Sequence, residues 1–282
     1  MSVINTNVNS LNAQNALSVN RRIMTSTMDQ LSTGRRVTSS KDDAAGVAVI
    51  NTMTSQIRGL NQAVRNANDG ISMLQTADGA MIEQTNMLQR MRELAVQSAT
   101  DTVTTSQKGY LNIEYQKLLN EIDRIGDMTQ WNDTKILDGT TPASSGVAGT
   151  YVFHVGAQEN QTITVTFKGA VSTGTGMFAD VAGTAINSDV LSNTAITKID
   201  LAFKELNTAR AEIGATINRL TYAADNLSNV STNTAGSRSR IQDTDYAVAA
   251  AELARTQIIQ QAGTAMLAQA NQAPQSVLAL LK

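Results

Sequence analysis

The chain of 282 residues contains no cysteine and only two prolines, Pro142 and Pro274. The absence of cysteine excludes disulfide bonds and thiol chemistry, and it is compatible with either the cytosol or the cell exterior. The scarcity of proline leaves residues 43–130 and 191–260 without the strongest helix breaker. Long uninterrupted helices are therefore permitted in both stretches.

Aromatic residues and excess charge are also scarce. Aromatics make up 4% of the chain and hydrophobic residues 41%, a balance that suits narrow helix contacts better than a thick core. The formal charge of -2 comes without a basic stripe, which argues against nucleic-acid binding. No run of 18 apolar residues is present, so no membrane-spanning helix is predicted. Met1–Asn20 lacks the pattern of a cleaved secretory signal.

Two stretches carry a heptad pattern of apolar residues. The first pattern lies in a helix that is predicted to run for about 55 residues, and it becomes irregular at Asp78 and Gly79. The second pattern spans residues 196–227, and only Arg210 is out of register. A helix with a single apolar stripe is marginal in water, so the two helices are predicted to pack side by side. The first pattern consists of Ile57, Leu60, Val64, Ala67, Ile71 and Leu74.

The two ends of the chain are amphipathic but uncharged. The stripe from Val3 to Leu31 meets its first charge at Arg21, and Thr256–Leu281 has none. Surface helices of a soluble monomer normally carry charge on their wet face, so these ends predict crowding of many copies, where repeated charges would repel or remain unpaired. Each end alone buries too little apolar area to offset its ordering cost. We therefore expect both ends to be loose in the monomer and to fold on association.

Other stretches complete the predicted organisation. A linker is expected at Ser32–Gly46 and a third helix at Leu111–Gly126. From Tyr151 the apolar period changes to two, and a β-hairpin is predicted from Tyr151–Val155 and Ile163–Phe167. Residues 169–190 are rich in small residues with little periodicity, so they are interpreted as an exposed loop or a very small outer lobe.

Motifs that would indicate chemistry are weak. Gly174, Gly176 and Ala179 match the spacing of a dinucleotide-binding fingerprint, but no helix opens there to face a pyrophosphate. His154 is the only histidine, has no second ligand for a metal, and is expected to face solvent on a strand. Neither feature predicts a cofactor or metal site.

Two aspartate pairs admit an acid and base or a cation-binding interpretation. They are Asp42 with Asp43, and Asp243 with Asp245. No apolar pocket or partner is evident that would separate their pKa values, so helix capping or ion pairing between subunits is the favoured interpretation. Because no constellation fits an active site, the chain is predicted not to be an enzyme.

A charged stretch in the first long helix has two interpretations. Gln89–Leu94 combines charges with apolar anchors. It fits a helix seam flanked by solvated charges, and it equally fits a contact patch for another protein. Sequence spacing does not decide between them.

Long motifs at both ends and along the helices resemble those of a known family. The matching stretches are INTNVNSLNAQNAL at Ile4–Leu17, LSTGRRVTSSKDDAAG at Leu31–Gly46, LQRMRELAVQS at Leu88–Ser98, LNEIDR at Leu119–Arg124, and Ser239–Lys282 with SRIQDTDYA and QAGTAMLAQANQAPQSVLALLK. With these motifs the chain strongly resembles bacterial flagellin.

The resemblance implies a mainly α fold: a long antiparallel α-helical coiled-coil rod with a small β-hairpin region, and terminal helices that form an inner coiled coil. Residues 1–42 and 240–282 would form the inner core, and residues 43–168 and 191–239 the rod around it. Residues 169–190 would be a short outer loop in place of the family's variable outer domains.

By resemblance, the chain is the structural subunit of the extracellular filament used for motility, secreted through the flagellar export channel. Its expected partners are other copies of itself, an export chaperone on the C-terminal segment, and the filament cap and hook-junction proteins, with no nucleic acid and no membrane. The terminal residues expected to serve polymerisation are Val3, Val8, Leu11, Leu17, Ile258, Ile259, Met266, Leu267, Leu278 and Leu281.

The resemblance also implies recognition by the mammalian flagellin-sensing Toll-like receptor. The expected contact patch is Gln89, Arg90 and Leu94, with Glu114 from the next helix. Separately, exposure alone suggests Ser172, Thr173, Thr175 and Ser188 as O-glycosylation positions.

Two other functions are compatible with parts of the helical pattern. A hook-filament junction protein shares the helical plan and would form short caps instead of long fibres. The cytoplasmic part of a chemotaxis receptor also has antiparallel heptad hairpins, but the predicted β-hairpin and the lack of membrane helices count against it.

Overall fold

A computed structural model describes residues 6–139, 149–172 and 176–279, with side chains described up to residue 272. Val3, Leu281, Thr173 and Thr175, together with the side chain of Leu278, therefore lie outside the described part.

Five helices dominate the described residues and confirm the predicted mainly α fold. They are α1 (Val8–Thr33), α2 (Ala44–Ser98), α3 (Thr105–Met128), α4 (Asp189–Gln242) and α5 (Tyr246–Ala279). The 55 residues of α2 match the length expected from the sequence. Four short strands complete the fold: β1 (Gln130–Trp131), β2 (Thr134–Lys135), β3 (Thr150–His154) and β4 (Thr162–Thr166).

The chain divides into two compact units. We call Met1–Ile57 with Thr232–Lys282 the terminal unit, and Arg58–Ser231 the central unit. Helices α2 and α4 each contribute residues to both units. None of the described helices combines the length and the apolarity needed to cross a membrane.

In the central unit, α2 buries a seam whose members follow alternating steps of three and four without interruption. Leu60, Ala67 and Leu74 belong to this seam, as predicted, but the intervening positions are Ala63, Gly70 and Ala77, not the half-buried Val64 and Ile71. The seam then continues through Met81, Gln84, Leu88, Met91, Ala95 and Ser98.

Helix α4 packs antiparallel to α2 within the central unit. Three polar contacts fix this direction, because residue numbers rise along one helix as they fall along the other. They are Asn61 with Ser231 at 2.9 Å, Asp78 with Arg210 at 2.8 Å, and Arg92 with Asp200 at 2.8 Å.

Asp78 and Arg210, the two positions that disturbed the sequence patterns, are therefore partners. They form an ion pair, and each side chain is about one-third exposed. Each charged side chain that interrupts the apolar pattern of its helix is thus neutralised by the charged side chain that interrupts the other.

The predicted β-hairpin is confirmed and packs on α2. β3 and β4 pair antiparallel, with Tyr151 opposite Val165 and Phe153 opposite Ile163. A Cβ added at Gly70 would lie 2.8 Å from the Phe153 ring, so the hairpin approaches α2 where that helix has no side chain. The amide of Asn66 donates to the carbonyl oxygen of His154 at 3.1 Å.

The interpretation of residues 169–190 as an exposed loop is wrong for most of the described part. The largest apolar side chains of the segment are buried in the central unit. The Gln84 amide, itself fully buried, donates to the Ala170 carbonyl at 2.9 Å and to the Ile122 carbonyl at 3.1 Å. The segment closes the core although its apolar residues follow no regular period. Its buried apolar residues are Ala170, Val171, Met177, Phe178, Val181 and Ile186.

A second, shorter hairpin was not predicted. β1 and β2 pair antiparallel around Asn132 and Asp133, whose φ angles are 49° and 60°. An Asn-Asp pair that adopts positive φ is typical of a tight two-residue hairpin turn, so this dipeptide was the signal in the sequence.

Candidate assembly surface

In the terminal unit, α1 and α5 pair along seams that contain many polar and small residues. Both seams keep the alternating steps of three and four. In α1 the seam is Ser10, Ala13, Leu17, Asn20, Met24, Thr27 and Leu31, and in α5 it is Ala249, Leu253, Thr256, Gln260, Gly263, Leu267 and Ala270.

Side-chain hydrogen bonds link the two helices across this seam. The amide of Asn20 donates to the Thr256 carbonyl at 2.9 Å and to Oε1 of Gln260 at 3.2 Å. Near the helix ends, the Asn7 amide donates to the Ala270 carbonyl at 2.7 Å. Apolar periodicity does not identify these residues, because they are polar, although their heptad spacing was a signal in the sequence.

Close packing accompanies the hydrogen bonds. A Cβ added at Gly263 would lie 2.7 Å from a methyl carbon of Leu17, so this glycine admits the leucine side chain between the helices. Of the expected polymerisation residues, Leu17 and Leu267 are thus half-buried seam members.

Up to residue 272, the remaining large apolar side chains of α1 and α5 face solvent. Among the expected polymerisation residues, Val8 is 54% exposed, Ile258 67% and Met266 65%. We define the outer apolar face as the nine exposed residues Val8, Leu11, Val19, Ile23, Met28, Val248, Ile258, Ile259 and Met266. Exposed apolar side chains in such number are typical of an interaction site, and on α5 those from Ile258 onward lie in a stretch, residues 256–281, that carries no charge.

The segments that lead into α2 and α5 are fastened to each other. Gly34 ends α1 with φ 68°, a conformation that favours glycine, and its carbonyl accepts from the Thr244 amide at 3.0 Å. The Arg36 amide donates to the Gln242 carbonyl at 2.7 Å. This part of the predicted linker is therefore an ordered clasp.

The two aspartate pairs include helix caps, in line with the favoured interpretation. Asp43 accepts from the Gly46 amide at 2.8 Å at the start of α2, and Asp245 accepts from the Ala247 amide at 2.9 Å at the start of α5. Asp42 accepts instead from the hydroxyls and amides of Thr38 and Ser39. These hydrogen bonds, that of the Thr38 hydroxyl foremost, lower the pKa of Asp42.

The predicted receptor patch lies in the central unit and is only partly exposed. Gln89, Arg90 and Glu114 are exposed, and Arg90 pairs with Glu114 at 2.9 Å and with Glu93 at 3.1 Å. Leu94 is 1% exposed and belongs to the core cluster. The expectation that Leu94 contacts a partner directly is wrong for this structure, because its heptad position points into the unit.

The exposure assumed for the O-glycosylation positions holds at only one of the two described serines. Ser172 is 6% exposed, and its hydroxyl donates to Asp123 at 2.6 Å, so the exposure argument is wrong there. Ser188 is exposed, and its hydroxyl accepts from the Leu191 amide at 3.4 Å at the start of α4.

His154 is exposed on β3, as predicted. Within the described residues, no three His, Cys, Asp or Glu side chains form a cluster able to hold a metal ion.

Comparison with known proteins agrees with the resemblance seen in the sequence. The family model of the bacterial flagellin N-terminal helical region matches residues 4–141, and that of the C-terminal helical region matches residues 196–281. The flagellin of Halalkalibacterium halodurans is 41% identical, and the match covers 99% of this chain and 100% of that protein. A flagellar filament 33 kDa core protein of Treponema phagedenis is 39% identical with the same coverage.

A solved structure shares the fold at low sequence identity. A Vibrio parahaemolyticus structure, described as that of a flagellar hook-associated protein, aligns with a TM-score of 0.59 and 15% identity over 72% of this chain and 100% of that one. This likeness concerns the fold alone, whereas the full-length relatives and the two family models identify the family. The chain belongs to the bacterial flagellin family.

Proposed function

We propose that this chain is the structural subunit of the extracellular flagellar filament and that it polymerises through the terminal unit. The observation that carries the proposal is the outer apolar face. Helices α1 and α5 pair along seams in which many positions are polar or small, and they leave other large apolar side chains in solvent. Contact with other copies would remove that apolar area from water, a gain of roughly 25 cal/mol per Å² buried.

The test replaces apolar side chains of the outer apolar face without touching the seam. Ile258→Ser with Met266→Ser is expected to raise the critical concentration for fibre formation at least tenfold, because two exposed apolar side chains lose their burial in the fibre. The measurement is sedimentation of fibres with electron microscopy.

A matched control comes from the central unit. Val190, 76% exposed at the start of α4, is changed to Ser together with the exposed Tyr222. This control is expected to polymerise like the unmodified chain. Equal polymerisation of all three proteins would contradict the proposal.

The hook-filament junction alternative is not favoured. The relatives that match over their full length are named flagellin and flagellar filament core protein. The hook-associated likeness is confined to the fold. Electron microscopy separates the two functions, since a junction protein would give short caps and a filament subunit micrometre fibres.

In the proposed filament, residues 1–42 and 240–282 form the inner tube, and residues 43–168 and 191–239 form the shell around it. Residues 169–190 stand where other family members carry outer domains. The role is structural and not enzymatic, which agrees with membership of this family.

Secretion is proposed to pass through the flagellar export channel, with a chaperone on the C-terminal segment. Ile258 and Met266 are exposed on α5 and would be masked by such a chaperone before assembly. The filament cap and hook-junction proteins are proposed partners at the two ends of the fibre.

Recognition by the flagellin-sensing Toll-like receptor is proposed for the exposed residues Gln89, Arg90 and Glu114. The Arg90–Glu114 pair would present a fixed guanidinium on the surface of α2, held by two carboxylates. Ser188 remains the proposed O-glycosylation position among the described residues, because its side chain is exposed.

A further inference from the structure

The terminal unit contains a polar groove that the outer apolar face does not include. It lies between α1 and the loop that follows it, and encloses about 870 Å³. Its charged lining residues are Arg21, Arg22 and Lys41, with Asp29 and Asp42. Gln260 contributes from α5.

The three cations of the groove have no ion pair within the part of the chain that the structure describes. No carboxylate oxygen there lies within 4.0 Å of Arg21, Arg22 or Lys41. The Asp42 carboxylate does not pair with these cations; its Oδ2 instead accepts hydrogen bonds from Thr38 and Ser39 at 2.9–3.2 Å. The groove therefore presents three cationic side chains free to bind an anion.

The two units of the chain carry opposite formal charge. The terminal unit contains nine Lys and Arg against six Asp and Glu, a net charge of +3. The central unit contains 13 Lys and Arg against 18 Asp and Glu, a net charge of -5. Terminal units gathered at high density would repel one another unless anionic groups lie near them.

We propose that the groove binds carboxylate side chains of the central unit of a second copy. This inference rests on the proposed filament role and adds an electrostatic contact to the apolar one. Arginine suits this task, because its planar fork of donors binds a carboxylate through two hydrogen bonds. The hydroxyl group of Ser18 also lines the groove and supplies a further donor.

The first test uses zero-length cross-linking of assembled fibres with a carbodiimide, which joins an amine to a carboxylate in direct contact. Lys41 is the only lysine among residues 1–57, so it is a unique reporter of the groove. Fibres are grown from an equal mixture of 14N-labelled and 15N-labelled chains, and cross-linked peptides are identified by mass spectrometry.

The expected result is a mixed-isotope peptide that joins Lys41 to an Asp or Glu of residues 58–231. Cross-links from Lys41 only to residues 1–57 or 232–282, or none from Lys41 in well-formed fibres, would overturn the inference and leave the filament role intact. Failure of the unmodified chain to form fibres would overturn both.

The second test removes two positive charges from the groove and, as a control, two positive charges from the central unit. Arg21→Gln with Arg22→Gln should raise the critical concentration about three- to tenfold, as expected for the loss of two weak ion pairs. Lys117→Gln with Lys198→Gln removes the same charge from the central unit and should not raise it. Circular dichroism checks that both variants stay helical, and an equal rise in both variants would overturn the inference.

Discussion

Two glycines of α2 show how one missing methyl group decides local packing. A Cβ at Gly70 would lie 2.8 Å from the Phe153 ring, whereas a Cβ at Gly79 would meet nothing within 4 Å. Gly70→Ala should therefore destabilise the protein by about 1 kcal/mol, because overpacking against a ring outweighs the better helix propensity of alanine.

Gly79→Ala is the matched control in the same helix. It should stabilise the protein by about 0.5–1 kcal/mol, since only the propensity changes. Denaturant unfolding of both variants measures the two effects. Destabilisation by both, or stabilisation by both, would contradict the packing of the β3–β4 hairpin on α2.

A buried lysine ties the start of α4 to α3 and gives a pH dependence with a defined sign. Lys108 is buried and pairs with Asp189. The hydrogen bond from Lys108 lowers the pKa of Asp189 below its ordinary value of 3.8. The pair therefore stabilises the fold fully above pH 3.8, and this contribution is lost as pH falls through the lowered pKa.

Asp189→Asn should lower the melting temperature near pH 7, because it leaves Lys108 buried without a carboxylate. The difference from the unmodified chain should shrink as the pH falls from 3.8 through the lowered pKa of Asp189, because the aspartate loses its charge over this range. Thermal unfolding followed between pH 7 and pH 2 measures it. A difference that stays constant over this range would contradict the ion-pair explanation.

At the scale of the elements, the positions of the long helices were predicted from the sequence, but the residues that fill the seam between α2 and α4 were not. Apolar periodicity located α2 and α4, because Leu60, Leu74, Ile199 and Leu220 recur at heptad spacing. Alternate seam positions hold Ala63, Ala77, Ala195 and Ala202, whose small side chains carry little hydropathy signal. Their burial depends on the partner helix, and a single helix pattern does not contain that information.

The segment 169–190 resisted prediction for a related reason. Its buried residues Phe178 and Ile186 follow no regular period, since the chain there forms turns that fill the space beside α2 and α3. The same applies to Ser172, whose exposure was assumed from a polar sequence. The burial of these residues depends on tertiary contacts, such as the Ser172–Asp123 hydrogen bond, which the local sequence pattern does not contain.

The Asp78–Arg210 pair predicts a strong coupling between α2 and α4. Asp78→Leu or Arg210→Leu alone should each cost roughly 1–2 kcal/mol, because the remaining charge is left half-buried without its partner. The double substitution should be less destabilising than either single one, since two leucines fill the interface. A double-mutant cycle by denaturant unfolding tests this, and additive losses would contradict it.

The polar seam of α1 and α5 predicts weak pairing in the free subunit. Asn20 and Gln260 occupy seam positions and form a hydrogen bond there, whereas leucines at the same positions would bury apolar area. Asn20→Leu with Gln260→Leu should therefore increase the helix content of the monomer measured by circular dichroism. The control changes the exposed Gln14 and Gln257 to Leu and should leave it unchanged. An unchanged helix content in the seam variant would contradict the prediction that the ends are loose before assembly.

At the scale of the whole molecule, the two units differ in where their large apolar side chains lie and in the sign of their net charge. The central unit buries large apolar side chains in a core shared by α2, α3, α4 and the β3–β4 hairpin. The terminal unit leaves apolar side chains outside and carries the opposite net charge. The lack of charge at the two ends of the sequence is what points to this unit as the proposed assembly surface. Which of the predicted polymerisation residues face outward was not predictable, because Leu17 and Leu267 lie in the α1–α5 seam while the others that are described are exposed.

The most direct measurement is a helical reconstruction of the assembled fibre at side-chain resolution. We expect Leu11, Ile258 and Met266 to lie against residues of neighbouring copies, while the Asn20–Gln260 hydrogen bond stays within one chain. Fibres in which these three side chains face water, or in which the polar seams join different copies, would contradict the account.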